Sequence, residues 1–471
     1  MILLLKLYLS KGEITMSKKF TKFLSVVLCM AILSTIGITA FAAEGTEKTL
    51  TINNPYADVI WEGDNAWTGY KGSLHTHSTY SDATVTLKEM VMEYYNQGFG
   101  FLGMADHSVT GVEWNQAPEQ APLYYYQYLI GYTMEHLTDE EYKAVVAGTY
   151  PMADGSTRDF GLACVTGANE LNGITLTKGH VVGYGLERGV GTGHAGVENG
   201  HREAVEFAEE NGGYSVIAHP GDWIDTREGV NDPEFIDYFA KIFLDYDSCL
   251  GMEVFNETNN ATPWDRNLWD NILMATLPYG RTVWGYSNSD AHELNKVDSS
   301  FSVFMMPENT AENVKETMYN GNFFAVTRKI HDNPVLGPAE TYDVMDQKLP
   351  YPMATNVAVD GTTITMDVEN ADFVQWIANG KIVAKTEVNG TGTSTIDLGT
   401  IEGAEDFLYV RAEIFGEGGC AASQPFTIDD GEADLEYEKD ESFLAKLEYI
   451  WYRIKSLRIF ILFQELYRAI V

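Results

Sequence analysis

Six histidines and three carboxylates follow one pattern along this chain: each stands at or beside the end of a short apolar run. His75-Thr76-His77 follows Ser73-Leu74 and leads to Ser81-Asp82, and Asp106-His107 closes the run 99–105. Asn169-Glu170 closes 163–168, His180 opens 180–186, His219-Pro220 follows 214–218, and Ser289-Asp290-Ala291-His292 follows 282–286. A further run, 251–255, carries Glu253 and ends at Asn256. Alternate residues of an extended strand share a face, so His75 points with His77 and Asp290 with His292. A lone histidine is ordinarily a core or surface residue; six of them recurring beside carboxylates at strand ends have the chemistry of metal ligands. Imidazole and carboxylate donors without cysteine suit divalent Zn, Mn or Fe, and do not choose among them. The other histidines, His136, His194, His201 and His331, lack such partners and read as surface or helix positions.

The elements that must carry these residues are legible. From residue 72 to about 326 apolar strands alternate with amphipathic helices, an α/β pattern. Thr86 and Glu89 form a capping box, Leu87, Met90, Val91 and Tyr94 share one face, and Gly98 ends that helix. Later helices are expected at 203–210, 233–244, 266–275 and 311–319. Parallel strands of a barrel bring their C-terminal ends to one mouth, which would gather the strand-end residues. The aromatic stretch 114–159, including Leu123-Tyr124-Tyr125-Tyr126, reads as a substrate-shaping insertion.

The character changes near Pro352. Alternating β-rich runs such as 363–368 and 407–414, with turns at Asn379-Gly380 and Asn389-Gly390, suggest a small all-β sandwich over 352–429. An acidic linker follows over 430–442. The last segment, 443–471, is apolar but interrupted by Lys446, Arg453, Lys455, Arg458 and Arg468 against two glutamates. Those charges argue against a membrane-spanning helix and for an amphipathic one, either on an anionic membrane or wall surface or docked on a domain.

Met16-Ser17-Lys18-Lys19 opens a basic region, an apolar run follows from residue 23, and Ala40-Phe41-Ala42 offers a cleavage site. This reads as a secretory signal over residues 1–42, with a retained anchor as the rival, and the expected location is extracellular or at the cell surface. The 471 residues carry 31 basic and 68 acidic side chains, net −37; loss of 1–42, with five lysines and one glutamate, leaves −41. So negative a chain disfavours long nucleic acid as partner, except where bound metals invert the local sign. The acidity serves solubility equally well. Cys164, Cys249 and Cys420 are too few and too scattered for a disulfide framework or a zinc site.

His75-Thr76-His77, Ser81-Asp82, Ala105-Asp106-His107, Glu170, His180, Ala218-His219-Pro220 and Ser289-Asp290-Ala291-His292 resemble, in that order, the motifs of the PHP (polymerase and histidinol phosphatase) family, over roughly residues 70–330. The resemblance implies a distorted (β/α)7 barrel, here over 43–350, with a trinuclear centre of two or three divalent transition metals. Carried over, one metal takes His75, His77, Glu170 and Asp290, a second Asp82, His107 and His292, and a third Glu170, His180 and His219. Asp82 stands where some members have histidine, and an aspartate there resembles the small phosphoesterase and exonuclease branch and also the carbaryl-hydrolase-like branch. Asp106 and His107 are the catalytic candidates. Asp106 is placed either to orient a liganding imidazole or to cap backbone.

Clustered metals make a nucleophile of water near neutrality and neutralise phosphoryl oxygens in an in-line transition state. The expected activity is therefore hydrolysis of a small phosphomonoester or phosphodiester, nucleotides and short oligonucleotides included. Carbamate, ester or amide hydrolysis at the same centre is the alternative within enzymes, and a non-catalytic metal-stabilised surface scaffold the alternative outside them. Arg266, Arg281 and Arg328 could clamp a phosphate but read better as pairing residues, and Trp223 and Asn256, near the mouth, read better as packing residues.

Overall fold

The computed structural model describes residues 50–121, 127, 131–171, 179–192, 200–256 and 261–456. The leader, Leu123-Tyr124-Tyr125-Tyr126, His194 and positions 457–471 of the C-terminal segment lie outside the described residues.

The chain first lays down β1 (Thr51–Asn53), β2 (Thr68–Ser73), β3 (Phe101–Leu102) and β4 (Ala163–Cys164). It then builds a separate five-stranded sheet from β5 (Asn169–Leu171), β6 (Val181–Tyr184), β7 (Tyr214–Ile217), β8 (Cys249–Phe255) and β9 (Trp284–Ser287), paired in that order. The strands β10 (Ser300–Met306) and β11 (Phe323–Thr327) return to the first sheet, and β12 (Lys329–Ile330) and β13 (Tyr342–Asp343) form a small ladder. The remaining strands, β14 (Met353–Asp360), β15 (Thr363–Ala378), β16 (Lys381–Asp397), β17 (Tyr409–Gly416), β18 (Gly419–Ala422) and β19 (Phe426–Asp429), join the first sheet as well, making twelve strands in all.

Two expectations are corrected here. Among the described residues no sheet closes into a barrel. β3 and β4 are two residues long, too short to propagate a ladder onward, and β6 runs antiparallel to both β5 and β7. Among the described residues the ladder pairing between the two sheets is limited to isolated bridges, Thr76 with Ala291 and His107 with Glu170. The architecture is mixed α/β with open sheets. Nor do the C-terminal strands form an all-β sandwich of their own. β18 pairs with β11 and β19 with β1, and Val374, Trp376 and Ile414 share one apolar core with Met90, Tyr94 and Trp114.

The helices fall where periodicity places them. α1 (Leu87–Asn96) has the Thr86–Glu89 capping box and buries Leu87, Met90, Val91 and Tyr94, with Gly98 at φ 79° beyond its end. α2 (Asp139–Val146) lies within the expected insertion, with a second capping box at Thr138 and Glu141. α3 (His201–Glu210), α4 (Pro220–Ile224), α5 (Pro233–Asp245), α6 (Asp265–Thr276) and α7 (Ala311–Asn320) follow, and α8 (Phe443–Ser456) comes after the acidic linker.

A buried ionic cluster ties the C-terminal strands to α6. The Arg411 guanidinium on β17 donates to both oxygens of Asp270, at 2.7 and 2.8 Å, and to Glu413, which also accepts from Arg266. Arg266, Asp270, Arg411 and Glu413 are all buried, a placement tolerable only because each charge is met by an opposite one.

Candidate metal centre

Seven chain segments deliver the nine residues to one place. His75 and His77 extend the line of β2, His107 follows β3, Glu170 is the middle residue of β5, His219 follows β7, and Asp290 and His292 follow β9. His180 stands ahead of β6, and because β6 is antiparallel to β7 its leading end meets the trailing end of β7: Ala218 N–H donates to the His180 carbonyl. Asp82 arrives on the tight turn that follows His77, where Ser81 and Ala83 N–H both donate to the Ser78 carbonyl. Two ligand positions have left-handed backbone, His219 at φ 24° and Asp290 at φ 47°. Such conformations cost about 1–3 kcal/mol each and persist where neighbours over-determine them. Here the His219 N–H is held by Glu253 Oε2 at 3.0 Å and the Asp290 N–H by the His75 carbonyl at 3.2 Å.

Glu170 is the hub. One oxygen or the other lies 2.7 Å from His107 Nδ1, 2.8 Å from His180 Nδ1, 3.1 Å from His219 Nε2, 3.3 Å from His77 Nε2 and 3.5 Å from His75 Nε2. Asp290 Oδ1 lies 2.9 Å from His77 Nε2 and 3.3 Å from His75 Nε2. Asp82 reaches His292 Nε2 at 3.1 Å and His107 Nε2 at 3.3 Å. Four overlapping groups have donor atoms within 4.8 Å of one another: His77, Asp82, His107 and His292; His75, His77 and Glu170; His75, His219 and Asp290; and His107, Glu170 and His180. All nine residues singled out from the sequence are in these groups. The grouping differs from the one implied by resemblance, since His77 also faces the Asp82 group and His219 groups with His75 and Asp290.

Three imidazoles have Nδ1 engaged by a partner other than the cluster's own carboxylate groups. Glu253 is a carboxylate that can only accept, so His75 Nδ1–H donates to its Oε1 at 2.8 Å. His77 Nδ1 faces Ser81 Oγ at 3.3 Å, and that hydroxyl donates to Asp106 Oδ1 at 2.6 Å. His292 Nδ1 lies 2.9 Å from the Asp290 carbonyl. With Nδ1 so engaged, each ring turns Nε2 toward the carboxylates, the arrangement by which outer hydrogen bonds orient metal-binding histidines. Nε2 of His75 and His77, Oε2 of Glu170 and Oδ1 of Asp290 are buried and make no hydrogen bond of good geometry despite these short separations. Lone pairs aimed at one another in a dry interior fit divalent cations placed between them.

The electrostatics agree. Burial alone would raise the Glu170 carboxyl, but His107, His180 and His75 hold it well below its usual range. Burial opposes charge on His219, yet the hydrogen bond to Glu170 and the nearby Asp290 raise it to about 10. His292 is raised to about 9 against burial by Asp82 and Asp290. His77 moves down instead, because burial and the neighbouring His292 disfavour its cation. Without metal, protons stand in for the cations the carboxylates require.

Asp106 reaches the cluster through Ser81. Its oxygens accept from Ser78 N–H at 2.7 Å, Ser78 Oγ at 2.8 Å and Ser81 Oγ, so it both caps backbone and orients His77 by relay. Arg266, Arg281 and Arg328 are engaged by the fold: Arg266 with Glu413, Arg281 with the Phe243 carbonyl, and Arg328 with Asp298 and the Leu349 carbonyl. Trp223 packs among His201, Phe235 and Tyr238. His201 is on a helix as expected but is fully buried rather than at the surface. Asn256 donates to Glu253.

Glu253 itself received no role from the sequence. It is fully buried and accepts from His75, from Asn288 at 2.9 Å, from Asn256 and from the His219 backbone. The signal was present, a charged residue inside the apolar strand Cys249–Phe255.

No protein-family model and no curated protein matches this chain. Among solved structures it is similar to a two-domain protein of Bacteroides vulgatus containing a predicted PHP-like metal-dependent phosphoesterase, at 14% identity and a TM-score of 0.39 over 78% of this chain and 97% of that one. A lesion-specific endonuclease of Pyrococcus furiosus follows at 15% identity and 0.30, covering 53% and 56%. An amidohydrolase of Chromobacterium violaceum follows at 14% and 0.26, covering 47% and 87%. With these TM-scores below 0.5, the likenesses carry no argument about activity.

Proposed function

We propose that this protein is a metal-dependent hydrolase that cleaves a small phosphomonoester or phosphodiester. The carrying observation is Glu170, whose two oxygens face five imidazoles and so belong to adjacent groups rather than to one isolated site. Divalent ions held by His75, His77, Asp82, His107, Glu170, His180, His219, Asp290 and His292 would supply an activated water and charge neutralisation for phosphoryl oxygens.

The chain's own residues do the rest. Nε2 of His75 and His77 is presented by donors fixed at Glu253 and Ser81, so little reorganisation is left for the reaction. Most of the cluster is closed to water, with His75, His77 and Glu170 at 1% side-chain exposure or less. Asp82 and His292 are the open members, at 33% and 30%, and the substrate is expected to approach over that pair. The reading includes export by way of residues 1–42.

The test is metal content and phosphate release measured together on the purified protein, beside His75→Ala and Asp290→Ala. Two or more transition metals per chain, with phosphate release that both substitutions abolish, is the expected result. Full metal without phosphate from monoesters or diesters would redirect the activity to carbamates, esters or amides. No metal after reconstitution would remove the enzyme reading.

A further inference from the structure

The helix α8 (Phe443–Ser456) shows an apolar stripe to the outside. Phe443 and Leu444 are 73% and 75% exposed, and Leu447, Ile450, Trp451 and Ile454 are between 38% and 50% exposed. At about 100° per residue these six fall within an arc of roughly 120°, one face of the helix. Ala445 and Glu448, on the other side, line a cleft with Arg202, Tyr238 and Lys241 of α3 and α5. The helix thus faces that cleft with Ala445 and Glu448, and its exposed apolar arc points away from it.

We infer that this exposed face of α8 seats the protein on an anionic lipid surface, lying along it rather than through it. No helix among the described residues is long and apolar enough to cross a membrane. Exposed Leu, Ile, Phe and Trp on one face of a helix with basic neighbours is the composition of an interfacial helix, whose apolar side sinks to the acyl boundary while cations meet headgroup phosphates. The charge is distributed accordingly. In a chain of net −37, segment 443–471 holds five basic residues and two acidic ones, with Lys446 at 100° from Ala445 on the border of the stripe. A second copy is the poorer occupant, because apposed C-terminal segments would set five basic residues and two acidic ones against the same excess of positive charge. A bilayer accepts the apolar side chains and offers anions to the basic ones. The acidic body itself is screened beyond about 8–10 Å at physiological salt.

The experiment is co-sedimentation of the full chain with vesicles of phosphatidylcholine alone and of phosphatidylcholine with phosphatidylglycerol, for the parent and for Leu447→Asp combined with Ile450→Asp. Both sites are exposed, so circular dichroism and bound metal are expected to match the parent. The expected result is sedimentation with the phosphatidylglycerol vesicles that weakens with salt and drops in the double variant. Equal sedimentation of parent and variant would overturn the inference, since some other segment would then be the anchor. Equal binding to both vesicle types would overturn the assignment to anionic lipid. No vesicle binding, with a concentration-dependent dimer that the variant loses, would give the face to a second copy.

Discussion

Glu253 Oε1 lies 2.8 Å from His75 Nδ1, and neither side chain has any exposed surface. The same carboxylate holds the His219 backbone, so one residue on β8 sets the geometry of two cluster members that come from different strands. Glu253→Gln keeps the volume but puts an amide donor where a second acceptor is needed. Metal affinity is expected to fall about 10–100-fold, as for other outer partners of liganding histidines. Competition with a chelating dye measures this, and an unchanged affinity would show that His75 needs no such support.

Glu170→Gln removes a charge that belongs to two of the four groups of donor atoms that could hold a cation. Metal content by mass spectrometry is expected to drop below that of the parent without vanishing, because His77, Asp82, His107 and His292 form a group without Glu170. Parent-level stoichiometry would show that Glu170 is not shared between sites.

The metal-stripped protein should lose stability in alkali. His219 and His292 are raised to about 10 and about 9 in the folded chain from an ordinary 6.5. A raised imidazole stabilises fully below about 6.5, and that contribution disappears as pH climbs through 9 to 10, because the folded state then gives up the protons that the unfolded state had already lost. Urea midpoints of chelator-treated protein are expected to fall from pH 6.5 to 9.5, and less steeply in His292→Gln. Metal uptake at pH 7 is likewise expected to release protons, seen in calorimetry as a heat that depends on the buffer.

Asp270→Ala leaves Arg411 buried without its bidentate partner and Tyr409 without its acceptor. The expected loss is about 3–5 kcal/mol, the usual cost of an uncompensated buried charge. Equilibrium unfolding in urea checks it, and a change below 1 kcal/mol would mean that water reaches Arg411.

The residues by themselves determined the chemistry of the site and the local elements under it. Types and strand-end spacing are local facts, and side-chain alternation over two or three residues suffices to aim His75 with His77 and to cap α1 at Thr86. All nine expected donors meet in one cluster, although the barrel expected to gather them does not close. What long-range pairing decides was not legible. Whether the sheets close depends on seams such as Thr76 with Ala291, which span more than 200 residues and end as single bridges. Whether β14–β19 stand apart depends on β18 meeting β11, and the alternating pattern of those strands is the same in a sandwich as at the edge of a larger sheet. The role of Glu253 was hidden likewise. Its carboxylate acquires meaning only when β2, β7 and β9 bring His75, His219 and Asn288 around it, and that convergence belongs to the tertiary structure.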